Sequence, residues 1–144
     1  RIAPLNTRAT VVMSGTFGYE MDVNKMSEEE KEIVKTQIQE FKEYYDLIQY
    51  GDYYRLTNPD AVEAYHGWEF AAPDGSEALL CIVALQIHPN GPGRWMRLKG
   101  LKKDSIYTVD GKEYAGDVLM NGGLLLPTAT EEYESFRIHI VENH

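Results

Sequence analysis

The sequence predicts a mainly β protein: an antiparallel β-sandwich of about eight strands, of the Greek-key type, preceded by one long α-helix. Three observations predict this class. Apolar side chains recur at helical spacing over Ser27–Gln49, whereas from Asp52 onward apolar and polar residues alternate. Short apolar runs separated by Gly, Pro, Asn and Asp then recur at near-regular intervals. The longest apolar run, Ser76–Ile87, lies between two groups of turn residues and is expected to form the central strand.

The N-terminal stretch is short and mixed in character. Pro4 is placed to open a helical turn that runs through Ala9. Met13–Asp22 contains two glycines and two aromatic residues, and it is expected to form a strand that ends in an acidic loop. The opening residues Arg1–Pro4, without an initiator Met, are interpreted as the start of a piece of a longer protein.

The long helix has a well-defined start and one apolar face. Ser27 and Glu30 have the spacing of a capping box, in which each side chain binds the other residue's backbone N–H. One face is apolar and consists of Ile33, Val34, Ile38, Phe41, Tyr44, Tyr45 and Ile48. We expect this face to be buried, either on the outer face of the chain's own sandwich or against a second copy of the chain.

The remaining elements are predicted strands. They are Tyr53–Leu56, Tyr65–Ala72, Ser76–Ile87, Arg94–Leu101, Ser105–Val109, Lys112–Met120, Leu124–Leu126 and Phe136–Val141. Ser76–Ile87 carries apolar side chains on both faces, so both of its faces are expected to be buried. Trp68 and Phe70 share one face of their strand, which predicts that Trp68 is mostly buried. Asp110-Gly111 predicts a hairpin turn.

Composition and charge exclude several classes of function. The 144-residue chain has 14 basic and 23 acidic side chains, a net charge of −9. Because no basic stripe is visible, binding to nucleic acid or to an anionic membrane surface is not expected. No apolar run approaches the roughly 20 residues of a membrane-spanning helix. The four histidines have no metal-ligand spacing and no phosphate-binding loop is present, so neither a metal nor another cofactor is expected.

The single cysteine, Cys81, lies within the longest apolar run and is interpreted as a core side chain. One thiol without a disulfide partner indicates a cytoplasmic location.

Two sets of residues are weak candidates for a site. Glu20 and Asp22, two apart on the predicted strand, would point the same way about 6.5–7 Å apart. That separation suits the paired carboxylates of a glycosidase, although plain loop residues are the more ordinary interpretation. Trp68 and Trp95, with Tyr65, form an aromatic set that could stack on sugar rings, although core packing is the more ordinary role of such side chains.

Several longer motifs follow one another along the chain. They are R-I-A-P-L-N-T-R at Arg1–Arg8, G-T-F-G-Y-E-M-D at Gly15–Asp22, S-E-E-E-K-E-I-V-K at Ser27–Lys35, L-I-Q-Y-G-D-Y-Y-R-L at Leu47–Leu56, L-K-G-L at Leu98–Leu101, G-D-V-L-M-N-G-G-L-L-L-P at Gly116–Pro127 and F-R-I-H-I at Phe136–Ile140. Taken in this order, they resemble the C-terminal portion of the bacterial α-galactosidases of glycoside hydrolase family 36. The resemblance covers nearly the whole chain.

The resemblance implies a parent enzyme with an N-terminal β domain, a central (β/α)₈ barrel that holds the active site, and a C-terminal antiparallel β-sandwich. Such an enzyme is a retaining hydrolase of α-galactosides. Its two catalytic aspartates lie in motifs of the K-W-D and S-D-D-T-D types, and neither motif is present here. No catalytic residue is therefore carried over, and the fragment alone is not expected to be an enzyme.

The resemblance also implies a division of the chain. Residues 1–50 would be a remnant of the last barrel strand, at Gly15–Asp22, and of the last barrel helix, and residues 51–144 would be the C-terminal sandwich. The expected function is a non-catalytic accessory domain that stabilises the missing barrel, meets galactoside only through the parent enzyme and takes part in assembly if the enzyme is a homo-oligomer. The alternative is an independent carbohydrate-binding module that uses Trp68 and Trp95. A weaker alternative is a hydrolase that uses Glu20 and Asp22.

Overall fold

The computed structural model describes residues 3–61 and 63–144. Its helices are α1 (Leu5–Val12), α2 (Glu28–Tyr50) and α3 (Gly116–Asn121), with a short 3-10 helix at Val23–Lys25. Its strands are β1 (Asp52–Arg55), β2 (Tyr65–Ala71), β3 (Glu77–Ala84), β4 (Trp95–Met96), β5 (Ile106–Val109), β6 (Lys112–Ala115), β7 (Leu124–Leu125) and β8 (Ser135–Glu142).

The strands form one large antiparallel sheet and one small one, which confirms the predicted class. The large sheet has the order β1-β2-β3-β8-β5-β6, and β4 pairs with β7 in the small sheet. The last strand, β8, lies between β3 and β5, so strands that are distant in sequence are neighbours at the centre of the sheet. None of the described helices is both long and apolar enough to cross a membrane.

Both faces of β3 are buried, as its sequence predicts, because each face supports a separate core. On one face, Leu80 and Ile82 pack under the small sheet and α3. On the other face, Leu79 and Cys81 pack against helices α1 and α2, whose side chains in this core include Leu47. The large sheet is therefore the middle layer of three.

The capping box of α2 forms as predicted. The backbone N–H of Glu30 donates to the Ser27 hydroxyl at 3.1 Å, and the backbone N–H of Ser27 donates to the Glu30 carboxylate at 2.9 Å. The apolar face of α2 behaves differently along its length. Near its C-terminal end Ile48 is buried on the outer face of the sheet, whereas Ile33, Ile38 and Tyr45 stay exposed. The predicted burial is confirmed for Ile48 and in part for Phe41 and Tyr44, but not for the whole face.

The strand predicted at Met13–Asp22 is wrong. Met13 ends α1, a turn follows, and Thr16–Met21 belongs to no strand or helix. A strand needs a neighbour for its backbone groups, and no backbone hydrogen bond joins Thr16–Met21 to any described residue. The segment instead lies along α2, where the Phe17 and Phe41 rings are 4.9 Å apart.

Two other predicted strands are shorter than expected. The predicted strand Lys112–Met120 divides into β6 and helix α3, and the helix begins at Gly116. The chain passes close to Lys102 at this point, since a Cβ atom on Gly116 would be 1.9 Å from the Lys102 carbonyl oxygen. Of the predicted strand Arg94–Leu101, only Trp95–Met96 pairs with another strand, as β4 with β7. Beyond β4 the N–H of Leu98 donates to the Leu119 carbonyl at 3.0 Å, so the alternation of buried and exposed side chains continues without a partner strand.

Candidate functional site

The two candidate carboxylates do not form a catalytic pair in the structure. Asp22 accepts a hydrogen bond from the Asn24 N–H at 3.1 Å, caps the 3-10 helix, and lies 3.7 Å from the Lys25 ammonium group. Glu20 lies at the border of a groove formed by α1 and Gly18–Met21. Both residues are exposed and lie outside any strand, so the predicted alignment on one strand face is not present.

The two tryptophans lie on opposite sides of the large sheet. Trp68 faces the helical layer, where its indole N–H donates to the Ser14 hydroxyl at 2.7 Å. It is partly buried and packs against the core of the helical layer, in line with the burial that its strand pattern predicts. Trp95 lies on β4 in the other outer layer and is 61% exposed. The two rings cannot contact one sugar chain together, so the geometry does not support the predicted aromatic platform.

A charged cluster that sequence reasoning missed joins the helical layer to the sheet. Arg137 on β8 is bidentate to Glu40 on α2, with N–O distances of 2.8 and 2.7 Å. The same guanidinium donates to the Asn6 side chain at 3.0 Å and to the Thr10 hydroxyl, both on α1. Its side chain is only 9% exposed, which strengthens these charge-assisted bonds. The cluster fixes α1 and α2 on the central strand of the sheet.

A second polar contact lies between α2 and the segment Thr16–Met21. The Tyr19 hydroxyl donates to the side-chain oxygen of Gln37, which is 2% exposed. The side-chain nitrogen of Gln37 is buried and has no hydrogen-bond partner among the described residues. A buried donor without a partner is costly, so this amide weakens the packing between α2 and Thr16–Met21.

Glu69 is the buried acid of the structure that sequence reasoning did not identify. It is fully buried on the β2 face opposite Trp68, and one carboxylate oxygen accepts the Lys99 backbone N–H at 3.0 Å. The other oxygen has no partner among the described residues. Burial raises the pKa of this carboxyl to about 7, and the Lys99 N–H and the Lys99 charge oppose the increase. Its surroundings are a closed core, so the group affects stability rather than catalysis.

The described residues do not combine into a catalytic constellation. No group of three His, Cys, Asp or Glu side chains within residues 3–61 and 63–144 is placed to hold a metal ion. The free thiol of Cys81 is buried, and burial raises its pKa to about 12, which keeps it protonated and unreactive.

Comparison with known families divides the chain at about the start of the sheet. The family described as "Glycosyl hydrolase family 36 C-terminal domain" matches residues 65–140, and the family "Melibiase" matches residues 1–51. The first match alone covers more than half of the chain.

Individual relatives match over nearly the whole chain. The bifunctional alpha-galactosidase/sucrose kinase AgaSK of Mediterraneibacter gnavus is 37% identical over 146 residues, which cover 99% of this chain and 15% of that protein. The alpha-galactosidase AgaA of Geobacillus stearothermophilus is 40% identical over 137 residues, which cover 94% of this chain and 18% of that protein.

Solved structures give the same result. The galactosidase domain of AgaSK superposes with a TM-score of 0.94 at 36% identity, and the crystal structure of the GH36 alpha-galactosidase AgaA from Geobacillus stearothermophilus with 0.93 at 37% identity. Each match covers 99% of this chain and 20% of the solved chain. The chain thus spans a fifth or less of the length of these relatives.

Proposed function

The chain belongs to glycosyl hydrolase family 36 as its C-terminal part, and from this premise we propose that it is a non-catalytic accessory region of an α-galactosidase. In this proposal residues 1–50 complete a catalytic barrel supplied by the rest of the enzyme, and residues 51–144 are a sandwich that stabilises it. The parent enzyme hydrolyses terminal α-galactosyl residues, and this chain meets the galactoside only through it. The buried, unpaired thiol of Cys81 supports a cytoplasmic location.

One observation carries the proposal: the extended segment Thr16–Met21 has a backbone without hydrogen-bond partners among the described residues, yet it is held firmly in place. Phe17 packs on Phe41 at 4.9 Å and on Tyr19 at 5.1 Å, which fixes one side of the segment on α2. The backbone groups that remain are those a neighbouring parallel strand would bind. The segment is therefore suited to be the last strand of a barrel whose other strands are elsewhere in the enzyme.

Exposed apolar side chains support the same partner. Val11 and Val12 of α1, together with Met21 and Val23, are exposed although each is large and apolar. They lie on the N-terminal quarter of the chain, which contains the groove bordered by α1 and Gly18–Met21. An exposed apolar surface of this kind fits a protein partner better than solvent.

The Arg137 cluster supports the stabilising role. It joins α1 and α2, which the proposal assigns to the barrel, to β8 at the centre of the sandwich. Because the guanidinium is nearly buried and bidentate, it resists relative movement of the two parts more than a surface ion pair would.

The experiment compares three proteins on a chromogenic α-galactoside. They are the 144-residue chain alone, AgaA of Geobacillus stearothermophilus truncated before the matching segment, and a chimera in which this chain replaces that segment. We expect the first two to be inactive and the chimera to be active. Turnover by the chain alone that disappears in Asp22→Asn would contradict the proposal, and so would full activity of the truncated enzyme.

A variant pair in the chimera tests the cluster. Arg137→Met should lower the thermal midpoint and the yield of active enzyme, because it removes the charged hydrogen bonds that join β8 to Glu40 on α2 and to Thr10 on α1. Arg97→Met is the matched control, since Arg97 is exposed and lies outside the cluster. Equal effects of the two substitutions would show that the cluster has no special role in joining the two parts.

A further inference from the structure

A cleft on the layer of the small sheet, far from the helical layer, has the form of a small-ligand site. It lies between the loop His88–Arg94 and the segment Leu125–Ala129, with Tyr65 at its base. Its volume is about 180 Å³. Sites that enclose drug-sized ligands measure about 300–1,000 Å³, so this cleft fits a ligand about the size of one sugar ring.

The walls of the cleft are fixed by hydrogen bonds. The Tyr65 hydroxyl accepts the backbone N–H of Ala129 at 3.0 Å, and the Arg94 carbonyl accepts the backbone N–H of Leu126 at 2.8 Å. Gly93 lies close to the opposite wall, because a Cβ atom there would be 3.0 Å from the Leu125 side chain. The cleft is therefore formed before any ligand binds, which lowers the entropic cost of binding.

The charge of the cleft differs from the charge of the protein. The chain has 23 acidic side chains and a net charge of −9, yet none of the described residues that line the cleft is Asp or Glu. Its charged side chain is Arg94, whose guanidinium lies 5.5 Å from the centre of the Tyr65 ring. His88 lies on the same wall and supplies a ring nitrogen. A guanidinium oriented on an aromatic ring is well suited to bind a carboxylate or phosphate.

An apolar surface lies at the rim of the cleft. Trp95 is 61% exposed, and its strand partner Leu125, which lines the cleft, is 52% exposed. The Trp95 ring lies beside Gly93, because a Cβ atom on Gly93 would be 3.3 Å from the outer carbon of that ring. A flat apolar ring next to a cationic cleft can contact the C–H face of a sugar while the cleft binds its charged group.

We propose that this cleft binds a hexose that carries a carboxylate or phosphate group, with Arg94 on the anion and Trp95 on the face of the sugar ring. This site lies on the opposite side of the large sheet from the proposed barrel contact and goes beyond the proposed function. Binding here does not require hydrolysis, so an inactive chimera would refute the proposed function without affecting this site.

The test is a nuclear magnetic resonance titration of the ¹⁵N-labelled chain with four probes: galacturonate, galactose 1-phosphate, galactose and inorganic phosphate. We expect both charged sugars to shift the Trp95 indole and Gly93 amide signals saturably, and galactose to shift them at least ten-fold more weakly. The Trp68 indole is an internal control, since it is bonded to Ser14 on the other face of the sheet and should not move.

Two variants assign the contacts. Arg94→Gln should weaken binding of both charged sugars at least ten-fold, whereas the exposed Arg97→Gln should leave it unchanged. Trp95→Ala should reduce the preference for a charged sugar over inorganic phosphate. The proposal is overturned if no probe gives a saturable shift, if galactose binds as well as the charged sugars, or if Arg94→Gln has no effect. Inorganic phosphate that binds as tightly as galactose 1-phosphate would remove the role given to Trp95.

Discussion

Replacing Glu69 with Gln should make the protein more stable at pH 8 and change the pH dependence of its unfolding. The carboxyl group is fully buried, and one of its oxygens has no partner among the described residues. Burial raises its pKa from 4.5 to about 7, the Lys99 N–H only partly opposing the change. In the unfolded chain the group is in water and returns to its ordinary pKa.

The direction in which stability changes with pH follows from the two pKa values of this carboxyl group. Between about pH 4.5 and 7 the folded protein binds this proton more tightly than the unfolded chain does, so stability falls as the pH rises. Stability from this group is complete below about pH 4.5 and is lost as the pH rises through 7. The difference between about 7 and 4.5, at about 1.36 kcal/mol per pH unit, is about 3 kcal/mol.

Urea unfolding at pH 5 and pH 8 measures this difference. Gln has the shape of the neutral acid and no charge, so the free energy of unfolding of Glu69→Gln should exceed that of the wild type by about 2.5 kcal/mol more at pH 8 than at pH 5, where the wild type has already lost part of this stability. Glu131→Gln, at an exposed position, is the control. Parallel pH profiles for wild type and Glu69→Gln would refute the reasoning.

Three further predictions concern the helical layer. Arg137→Met should lower the free energy of unfolding by about 1.5–3 kcal/mol, the usual range for hydrogen bonds to a charged group, because it removes the charged hydrogen bonds of Arg137 to the partly buried Glu40 and to α1. The double variant with Glu40→Leu should recover part of that loss, because it also removes the unpaired carboxylate; a double variant as unstable as the single one would contradict this. Cys81, with its thiol pKa raised to about 12 by burial, should resist iodoacetamide at pH 8 until urea unfolds the chain, and fast alkylation of the folded protein would show that the core opens there. Trp68→Phe and Ser14→Ala should each lower the free energy of unfolding by about 1 kcal/mol, because both remove the same hydrogen bond. Their effects should therefore not add in a double-mutant cycle, and full additivity would show that the bond contributes nothing.

Elements with a local cause were predictable from the sequence. The capping box at Ser27 and Glu30 needs only those two side chains and the helix start, and it forms. The hairpin at Asp110-Gly111 needs positive φ angles, which are observed at 48° and 76°. The double-sided burial of β3 also follows from its own residues, because an apolar side chain at every position from Ala78 to Ala84 leaves no face for water.

Features that depend on partners could not be predicted. Thr16–Met21 has the residues of a strand but no neighbouring strand in this chain, so its backbone stays unpaired among the described residues. The alternation of residues along β2 correctly predicts that Glu69 and Trp68 lie on opposite faces of the sheet. Such alternation indicates an exposed polar face only when one side of the sheet is in contact with water. Here both sides are covered, and the carboxylate is buried. The Arg137 cluster joins residues that are far apart in the sequence, and no local pattern indicates it.

The central position of β8 determines when this sheet can assemble. Every other strand of the chain is synthesised before β8, yet β8 bonds to both β3 and β5. Until it emerges from the ribosome, the β5–β6 hairpin has no strand to join, and one edge of β3, whose side chains are almost all apolar, is open to other chains. Folding of the sheet therefore depends on contacts that close long loops. Before these contacts form, the open edge of β3 makes the nascent chain prone to aggregation. A truncation that removes β8 splits the sheet in two, whereas loss of the edge strand β1 leaves the other five strands paired.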